Sequence, residues 1–334
     1  MPKPEVFVAI TQTLRKSLFS PESEERLAEL FTVRGGDHDD RLSSADLAGQ
    51  VGGCTALLTG WGTPQITPDV LSAASDLRII AHSAGSVRRL IPIAALEKGI
   101  AVTHAAALIA EAVAEFTVFG MLLGLRWPHR QNAWIHAGKP WSECRATGGN
   151  LLEAQRVGLI GCGYVAQRVI RKLQGFGMPI AVYDPYLLDE HAAEFNVTRV
   201  SLEELFSTCR VIANHAPTTP ETDGMVTAAH FKLLQDGGVF INNARARAVN
   251  QDDMIAELAT GRIRAVLDVF NPEPLTEDSP LRGMENVFLT PHMAGQSDDT
   301  RMRQGAAMVA ELERFLNDEP LQYPITLESY DRMA

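Results

Sequence analysis

Cysteine is scarce in this chain of 334 residues. The four residues, Cys54, Cys144, Cys162 and Cys209, are scattered and form no Cys-x-x-Cys pair. That excludes a disulfide scaffold and a cysteine metal site, and it fits free thiols in a reducing cytoplasm. Positive charge is also short: 30 Lys and Arg stand against 41 Asp and Glu, a formal net charge of -11. Such a surface does not suit nucleic acid or an anionic membrane, although a local basic site for a small acid is compatible with it. Repeats and low-complexity tracts are missing. The opening Met1-Pro2-Lys3-Pro4-Glu5 lacks the charged and apolar regions of a signal peptide. Only one long apolar run occurs, Ala105 to Leu125, which is long enough to cross a bilayer. Glu111 and Glu115 lie in its middle, one helical turn apart, and two carboxylates at that depth are costly. The expectation is a buried helix packed between domains or subunits.

The composition that is present, 46% hydrophobic and 21% charged, is that of an ordinary globular protein of one or two domains. Strand and helix patterns alternate along it. Val6–Ile10, Thr55–Thr59, Leu77–Ala81 and Ile100–Thr103 read as buried strands, separated by helical stretches such as Glu22–Leu30 and Ile93–Lys98. The second half repeats the rhythm. Ser201-Leu202-Glu203-Glu204 has the capping-box pattern and opens a helix before the strand Val211–Asn214. Thr227 caps a helix before Val239–Asn242. Asn250 caps Gln251–Thr260, and the strands Ala265–Val269 and Val287–Thr290 follow. A last helix spans about Thr300 to Phe315.

The most informative stretch is Val157-Gly158-Leu159-Ile160-Gly161-Cys162-Gly163-Tyr164-Val165-Ala166. It reads as a buried strand, a Gly-x-Gly-x-x-Ala turn and a helix. Gly161 permits the tight turn, and Gly163 lets the backbone approach a pyrophosphate at the positive end of the helix. The apolar run Ile180-Ala181-Val182-Tyr183 then ends in Asp184, near the expected distance of roughly 20 residues. A carboxylate there accepts both ribose hydroxyls of NAD and repels the extra phosphate of NADP.

In an open parallel sheet, ligands bind outside the carboxyl ends of the strands. Arg245 follows one such end, Asp268 and Glu273 follow the next, and His292 follows Thr290-Pro291. A guanidinium, two carboxylates and an imidazole therefore converge on the edge that carries the dinucleotide loop. Each has an ordinary reading alone, as a cap, a surface ion pair or a loop histidine.

With these motifs the chain resembles the D-isomer-specific 2-hydroxyacid dehydrogenases, a family that includes hydroxypyruvate/glyoxylate reductases and phosphoglycerate dehydrogenases. The resemblance runs from about Leu77 to the end. It is carried by Gly161–Ala166, His215-Ala216-Pro217 with Thr222, Ile241–Arg245, Leu267–Pro274 and Thr290-Pro291-His292. It implies an α/β architecture of two doubly wound parallel-sheet domains. A Rossmann NAD-binding domain, 105–295, is inserted into a flavodoxin-like substrate domain, 1–104 and 296–334. The two crossings would act as a hinge beside the active cleft.

The resemblance also implies roles. His292 is the general acid or base and Glu273 holds its other ring nitrogen, fixing the tautomer and favouring the imidazolium. Arg245 binds the substrate carboxylate and polarises the carbonyl. Asp268 accepts from the nicotinamide carboxamide. Tyr164 and Val165 lie at the pyrophosphate, and Ala216, Pro217 and Asn243 line the nicotinamide side. Thr222, Ala244 and Ala294, with His292, complete the cofactor contacts. Gly85, Ser86 and Val87, in the loop Ser83–Val87, offer amides to the substrate carboxylate. The expected partner is a small 2-oxo or 2-hydroxy acid, with no metal, no nucleic acid and no membrane. A homodimer is expected through the apolar helix and the arm Trp134–Trp141.

Several positions depart from the family. Ala166 replaces a glycine, and Tyr164 replaces a more usual arginine, removing one cation near the phosphates. Arg247-Ala248 replace a Gly-Gly or Gly-Ser pair. Arg88-Arg89 stand where many relatives carry Asn or Asp. They suit either a second acidic group on the substrate or a solvated helix start. His82 and His104 lie beside the substrate loop and draw more attention than the remaining histidines. Two other readings stay open: a non-catalytic NAD-sensing module resembling corepressor relatives, and a phosphonate dehydrogenase of the same fold. Formate enzymes usually carry glutamine where this chain has Glu273.

Overall fold

Short apolar runs separated by helical stretches become parallel strands here, because each connection returns the chain to the same edge. The computed structural model describes residues 3–145 and 148–331, so Met1 and Pro2 of the N-terminal segment lie outside the described residues. The chain forms two compact units. One comprises the chain up to Ile109 and from Gln296 onward, the other Ala110–Gly295.

The first unit holds five strands: β1 (Glu5–Val8), β2 (Thr32–Gly35), β3 (Ala56–Thr59), β4 (Ile79–His82) and β5 (Ala101–His104). All pair in parallel, in the order β2-β1-β3-β4-β5, the flavodoxin-like arrangement. Alternate residues feed two cores. Phe7, Leu57, Ile80 and Val102 face one, and Val6, Val8, Leu58 and Ile79 face the other. The edge strand β2, Thr-Val-Arg-Gly, has no apolar run and no fully buried side chain, so its sequence carries no strand signal. The helix Asp298–Leu316, capped by Ser297, packs Met308, Val309 and Leu312 into the second of these cores. A Cβ on Gly305 of that helix would sit 1.8 Å from the Leu18 carbonyl oxygen, so the close contact requires glycine.

The second unit holds seven strands: β6 (Val157–Ile160), β7 (Ile180–Tyr183), β8 (Thr198–Arg199), β9 (Val211–Asn214), β10 (Val239–Asn242), β11 (Arg264–Leu267) and β12 (Val287–Leu289). Their order is β12-β11-β10-β9-β6-β7-β8, again all parallel. The chain leaves β6 in one direction to β7 and β8, then returns past it to β9. That reversal between β6 and β9 is the switch point of a Rossmann sheet. The helix caps follow the sequence signals. Ser201 Oγ accepts the Glu204 amide and Asn250 Oδ1 accepts the Asp253 amide. At Thr227 the histidine three residues on joins in, with His230 Nδ1 accepting the Thr227 N–H at 3.1 Å.

The apolar run forms the helix Ala106–Arg126, long and apolar enough to cross a membrane by composition alone. From Ala110 onward it packs on the seven-stranded sheet. A Cβ on Gly124 would lie 2.3 Å from Val239 Cγ1, and one on Gly120 would lie 3.3 Å from Val266 Cγ1. The two glycines let the helix settle directly on the strands. Phe119 and Leu122 of this helix stay exposed. Glu111 is held by Arg168 at 2.7 Å and Lys172 at 3.3 Å, so its charge is compensated.

Candidate functional site

Parallel strands point their carboxyl ends one way, so the residues just beyond β6, β7, β9, β10, β11 and β12 share one edge of the second unit. At the switch point Gly161 has φ +88°. A Cβ there would also meet the His215–Ala216 backbone at 3.1–3.2 Å, so two separate constraints demand glycine. Gly163 differs: its φ is -77°, and an added Cβ would find nothing within 4 Å. No internal packing asks for glycine at that position. It stands at the N-terminus of the helix Tyr164–Leu173, with no side chain capping the first amides. Open space before uncapped amides fits a dinucleotide pyrophosphate. Val165 and buried Ala166 follow, Ala166 facing the sheet core.

Asp184, one residue past β7, reaches back to this turn. Its Oδ2 accepts the Cys162 N–H at 2.7 Å and its Oδ1 accepts the Tyr186 N–H at 2.8 Å. A carboxylate offers about four acceptor sites, so about two remain for ribose hydroxyls. Burial pushes the neighbouring Cys162 thiol up to about 11, which keeps it protonated. Tyr164 is exposed, and Arg168, one turn later, brings its guanidinium carbon 5.8 Å from the ring. That cation is partly neutralised by Glu111.

Past β9, the loop His215–Thr222 is shaped from within. Thr222 Oγ1 donates to the Pro217 carbonyl at 2.6 Å and accepts the Thr219 amide at 2.9 Å. The His215 ring is buried, and neither ring nitrogen has a hydrogen-bond partner among the described residues. Burial lowers its pKa to about 3. Two asparagines overlooked by sequence reasoning join this loop to the next. Asn214 and Asn242 end β9 and β10 in register, both buried. Asn214 Nδ2 donates to Asn242 Oδ1 at 3.1 Å, and Asn214 Oδ1 accepts the Ala216 amide at 3.1 Å. Asn242 Nδ2 donates to the Arg245 carbonyl at 3.2 Å, and Asn242 Oδ1 accepts the Ala244 amide at 3.3 Å. The signal available in the sequence was an amide side chain closing two adjacent strands. Asn243 turns inward and donates to Thr117 Oγ1 at 2.8 Å. Arg245 Nη1 donates to the Ala244 carbonyl at 2.8 Å. Arg247 forms an ion pair with Asp223, which ties this loop to the one before it.

His292 sits at a conformational outlier. Its φ is +53°, a region unfavourable for any residue with a Cβ by about 1 kcal/mol. The turn is held there by Asp268, which is 1% exposed. Asp268 Oδ1 accepts from Thr290 Oγ1 at 2.6 Å and the Met293 amide at 2.8 Å, and Oδ2 accepts the Ala294 amide at 2.9 Å. The His292 amide also donates to the Asp268 carbonyl at 2.9 Å. The imidazole so placed has Nδ1 2.6 Å from Glu273 Oε1, with the histidine side chain 51% exposed. An N–H on Nδ1 fits this contact, and Nε2 is the ring nitrogen outside it.

The residues expected at Gly161, Gly163, Tyr164, Val165, Asp184, Ala216, Pro217, Asn243, Arg245, Asp268, Glu273, His292 and Ala294 thus follow strand ends along one sheet edge. Gly85, Ser86 and Val87 belong to the first unit, just past β4. Among the described residues no group of three or more His, Cys, Asp or Glu is placed to hold a metal ion.

Comparison with known proteins agrees with this architecture. Residues 118–294 match the model of the D-isomer specific 2-hydroxyacid dehydrogenase NAD binding domain. The chain is 32% identical over 262 residues to the glyoxylate reductase of Korarchaeum cryptofilum, covering 77% of this chain and 78% of that protein. It is 30% identical over 251 residues to the hydroxypyruvate reductase of Thermotoga maritima, covering 74% and 80%. Against the D-3-phosphoglycerate dehydrogenase of Methanocaldococcus jannaschii it is 30% identical over 280 residues, 83% of this chain but 53% of that protein. The chain therefore spans about half the length of that relative. The crystal structure of a 2-hydroxyacid dehydrogenase from Ketogulonicigenium vulgare Y25 superposes with a TM-score of 0.79 at 27% identity, covering 98% of this chain and 100% of that one. With the Rossmann sheet, its glycine turn and the matched domain in agreement, the chain belongs to the D-isomer-specific 2-hydroxyacid dehydrogenase family, whose members are NAD-binding oxidoreductases.

Proposed function

We propose that the protein is an NAD-dependent D-2-hydroxyacid dehydrogenase that reduces small 2-oxo acids, with Arg245, Glu273 and His292 as its reacting set. The reading rests above all on the 2.6 Å contact between His292 Nδ1 and Glu273, on a turn that Asp268 pins to the edge carrying Gly161 and Gly163. When bound, NADH supplies the hydride. The amides at the start of the helix Tyr164–Leu173 hold its pyrophosphate, and Asp184 takes the ribose hydroxyls and disfavours a 2′-phosphate. Ala216, Pro217, Thr222, Asn243, Ala244 and Ala294 lie along the same edge. Asp268 has about one acceptor site left for the carboxamide. In this reading its larger task is holding the histidine turn.

Arg245 grips the substrate carboxylate and draws electron density from the 2-oxo group. In the first unit, the amides of Gly85, Ser86 and Val87 are the proposed donors to a substrate carboxylate. His292 gives its Nε2 proton to the 2-oxo oxygen, and Glu273 balances the imidazolium by holding Nδ1–H. The reverse reaction uses the same atoms, with neutral His292 as base. A positioned acid of this kind contributes about 10²–10⁴-fold.

The test is a panel of glyoxylate, hydroxypyruvate and larger 2-oxo acids, offered with NADH and NADPH side by side. Loss of the reduced-cofactor absorbance with NADH, and much less with NADPH, supports the reading. A protein that binds NADH yet turns over nothing on the panel refutes it. The reading extends to a cytoplasmic homodimer, supported by four buried free thiols and by exposed Phe119, Leu122, Ile135 and Trp141. Light scattering on the eluting protein reads its mass directly.

A further inference from the structure

Two buried imidazoles of the first unit have no task in the reading above. β4 and β5 end in His82 and His104, which are register partners, and Thr59 at the end of β3 is the partner of His82. All three side chains are buried. Thr59 Oγ1 lies 2.9 Å from His82 Nδ1. His104 Nδ1 lies 3.2 Å from the Gly85 carbonyl. Only an N–H can serve a carbonyl, so His104 carries its proton on Nδ1. His82 faces the Ser86 backbone, without a well-aligned bond from Nε2.

These rings lie beneath the loop Ser83–Val87. Three successive carbonyls of that loop are taken up from within the unit. Ser83 O accepts from Gln304 Nε2 at 2.8 Å, Ala84 O from the Ala105 amide at 3.0 Å, and Gly85 O from His104. A peptide unit is planar, with its C=O and the next N–H pointing opposite ways. The amides of Ala84, Gly85 and Ser86 therefore each point away from the group that holds the preceding carbonyl. Among the described residues the amides of Ala84 and Gly85 meet no acceptor. Successive amides turned to one side form a concave anion site.

We propose that His82 and His104 are positioning residues for substrate binding, holding the Ser83–Val87 loop so that its amides face the carboxylate of a 2-oxo acid. The proposal rests on the 2-oxo acid reading given above. Burial lowers the pKa of both rings, that of His82 to about 3, so both stay neutral in the working range. A neutral His104 keeps its donor on the Gly85 carbonyl without placing a buried cation under the loop. A neutral His82 can accept from the Thr59 hydroxyl on Nδ1.

The test compares wild type with His104→Leu, His104→Asn and Thr59→Val. Asparagine can place Nδ2 where the histidine has Nδ1 and so keep the donor. Valine keeps the shape of threonine without the hydroxyl. Three quantities are measured at saturating NADH on folded protein: KM for glyoxylate, kcat, and Ki for oxalate as an unreactive carboxylate probe. NADH affinity is read separately by fluorescence titration. Loss of one hydrogen bond under the loop is expected to raise KM and Ki together by about tenfold in His104→Leu. The expected kcat and NADH affinity are close to wild type. His104→Asn restores KM, and Thr59→Val raises it by a smaller factor.

Unchanged KM and Ki in both His104→Leu and Thr59→Val overturn the proposal. So does a fall in kcat with Ki for oxalate unmoved, the pattern of general structural damage. If His104→Leu does not fold, Thr59→Val decides the question by the same criterion. A wild-type protein inactive on the whole 2-oxo acid panel removes the functional reading and this proposal with it. An active wild type with unmoved variants removes this proposal alone.

Discussion

Replacing Asp268 by asparagine keeps the shape of the side chain and changes what it can accept. In the native turn one oxygen takes the Thr290 hydroxyl and the Met293 amide, and the other takes the Ala294 amide. Asparagine can offer its oxygen to one side only. If it keeps the first pair, its NH₂ group faces the Ala294 N–H, donor against donor. That amide then has no acceptor in a nearly water-free place. An unmade buried bond costs about 1–3 kcal/mol, and the two surviving bonds lose their charge assistance, roughly another 1 kcal/mol together. The expected loss is about 3 kcal/mol in the stability of the second unit. In urea this lowers the unfolding midpoint by about 1 M. The same turn fixes His292 at its unfavourable φ, so relaxation of the turn displaces the imidazole, with kcat falling by about 10–100-fold. Far-ultraviolet circular dichroism in urea and steady-state kinetics on one preparation read both effects. An unchanged midpoint would refute the argument that this carboxylate holds the turn. A lowered midpoint with unchanged kcat would separate the turn from the chemistry.

Gly163→Ala should fold with near-native stability, since its Cβ meets nothing, yet bind NADH more weakly because the methyl enters the pyrophosphate space. Gly161→Ala should lose stability outright, by about 1–3 kcal/mol, for its positive φ and backbone crowding. Thermal melts and NADH titrations distinguish the pair. Arg245→Lys should lower kcat/KM by about 100-fold through loss of the planar two-point grip, with NADH affinity retained. His82 and His215 are neutral in the fold down to about pH 3, whereas an unfolded histidine takes a proton near pH 6.5. Their contribution is complete above about pH 6.5 and is lost as pH falls towards 3, by about 1.4 kcal/mol per pH unit for each ring. Urea midpoints at pH 7 and pH 5 should show the decline, and His82→Asn should flatten it.

The strands were legible because each sheet is covered on both faces, and doubly covered strands must be runs of apolar residues. β2 and β8 escaped because edge strands need no such run; Thr198 and Arg199 are both exposed. The glycine turn and Asp184 were legible because a phosphate-binding backbone needs particular residue types at fixed spacing. What Asp268 does was only half legible. Its position after a strand marked it, but its three donors arise from a turn 22 to 26 residues later in the chain. The Asn214–Asn242 pair was hidden for a related reason. An asparagine at a strand end is ordinary by itself, and its importance comes from the register that sets it beside another.

The polypeptide passes from the first unit to the second and back only once each way, near Ile109 and near Gly295. An insert joined to its host by two peptide connections, with a sheet and cores of its own, can be exchanged as a cassette. Mutations in the core of the insert and mutations in the core of its host then fall in separate stretches of gene. Each unit can then drift in sequence while the other keeps its own sheet and core intact.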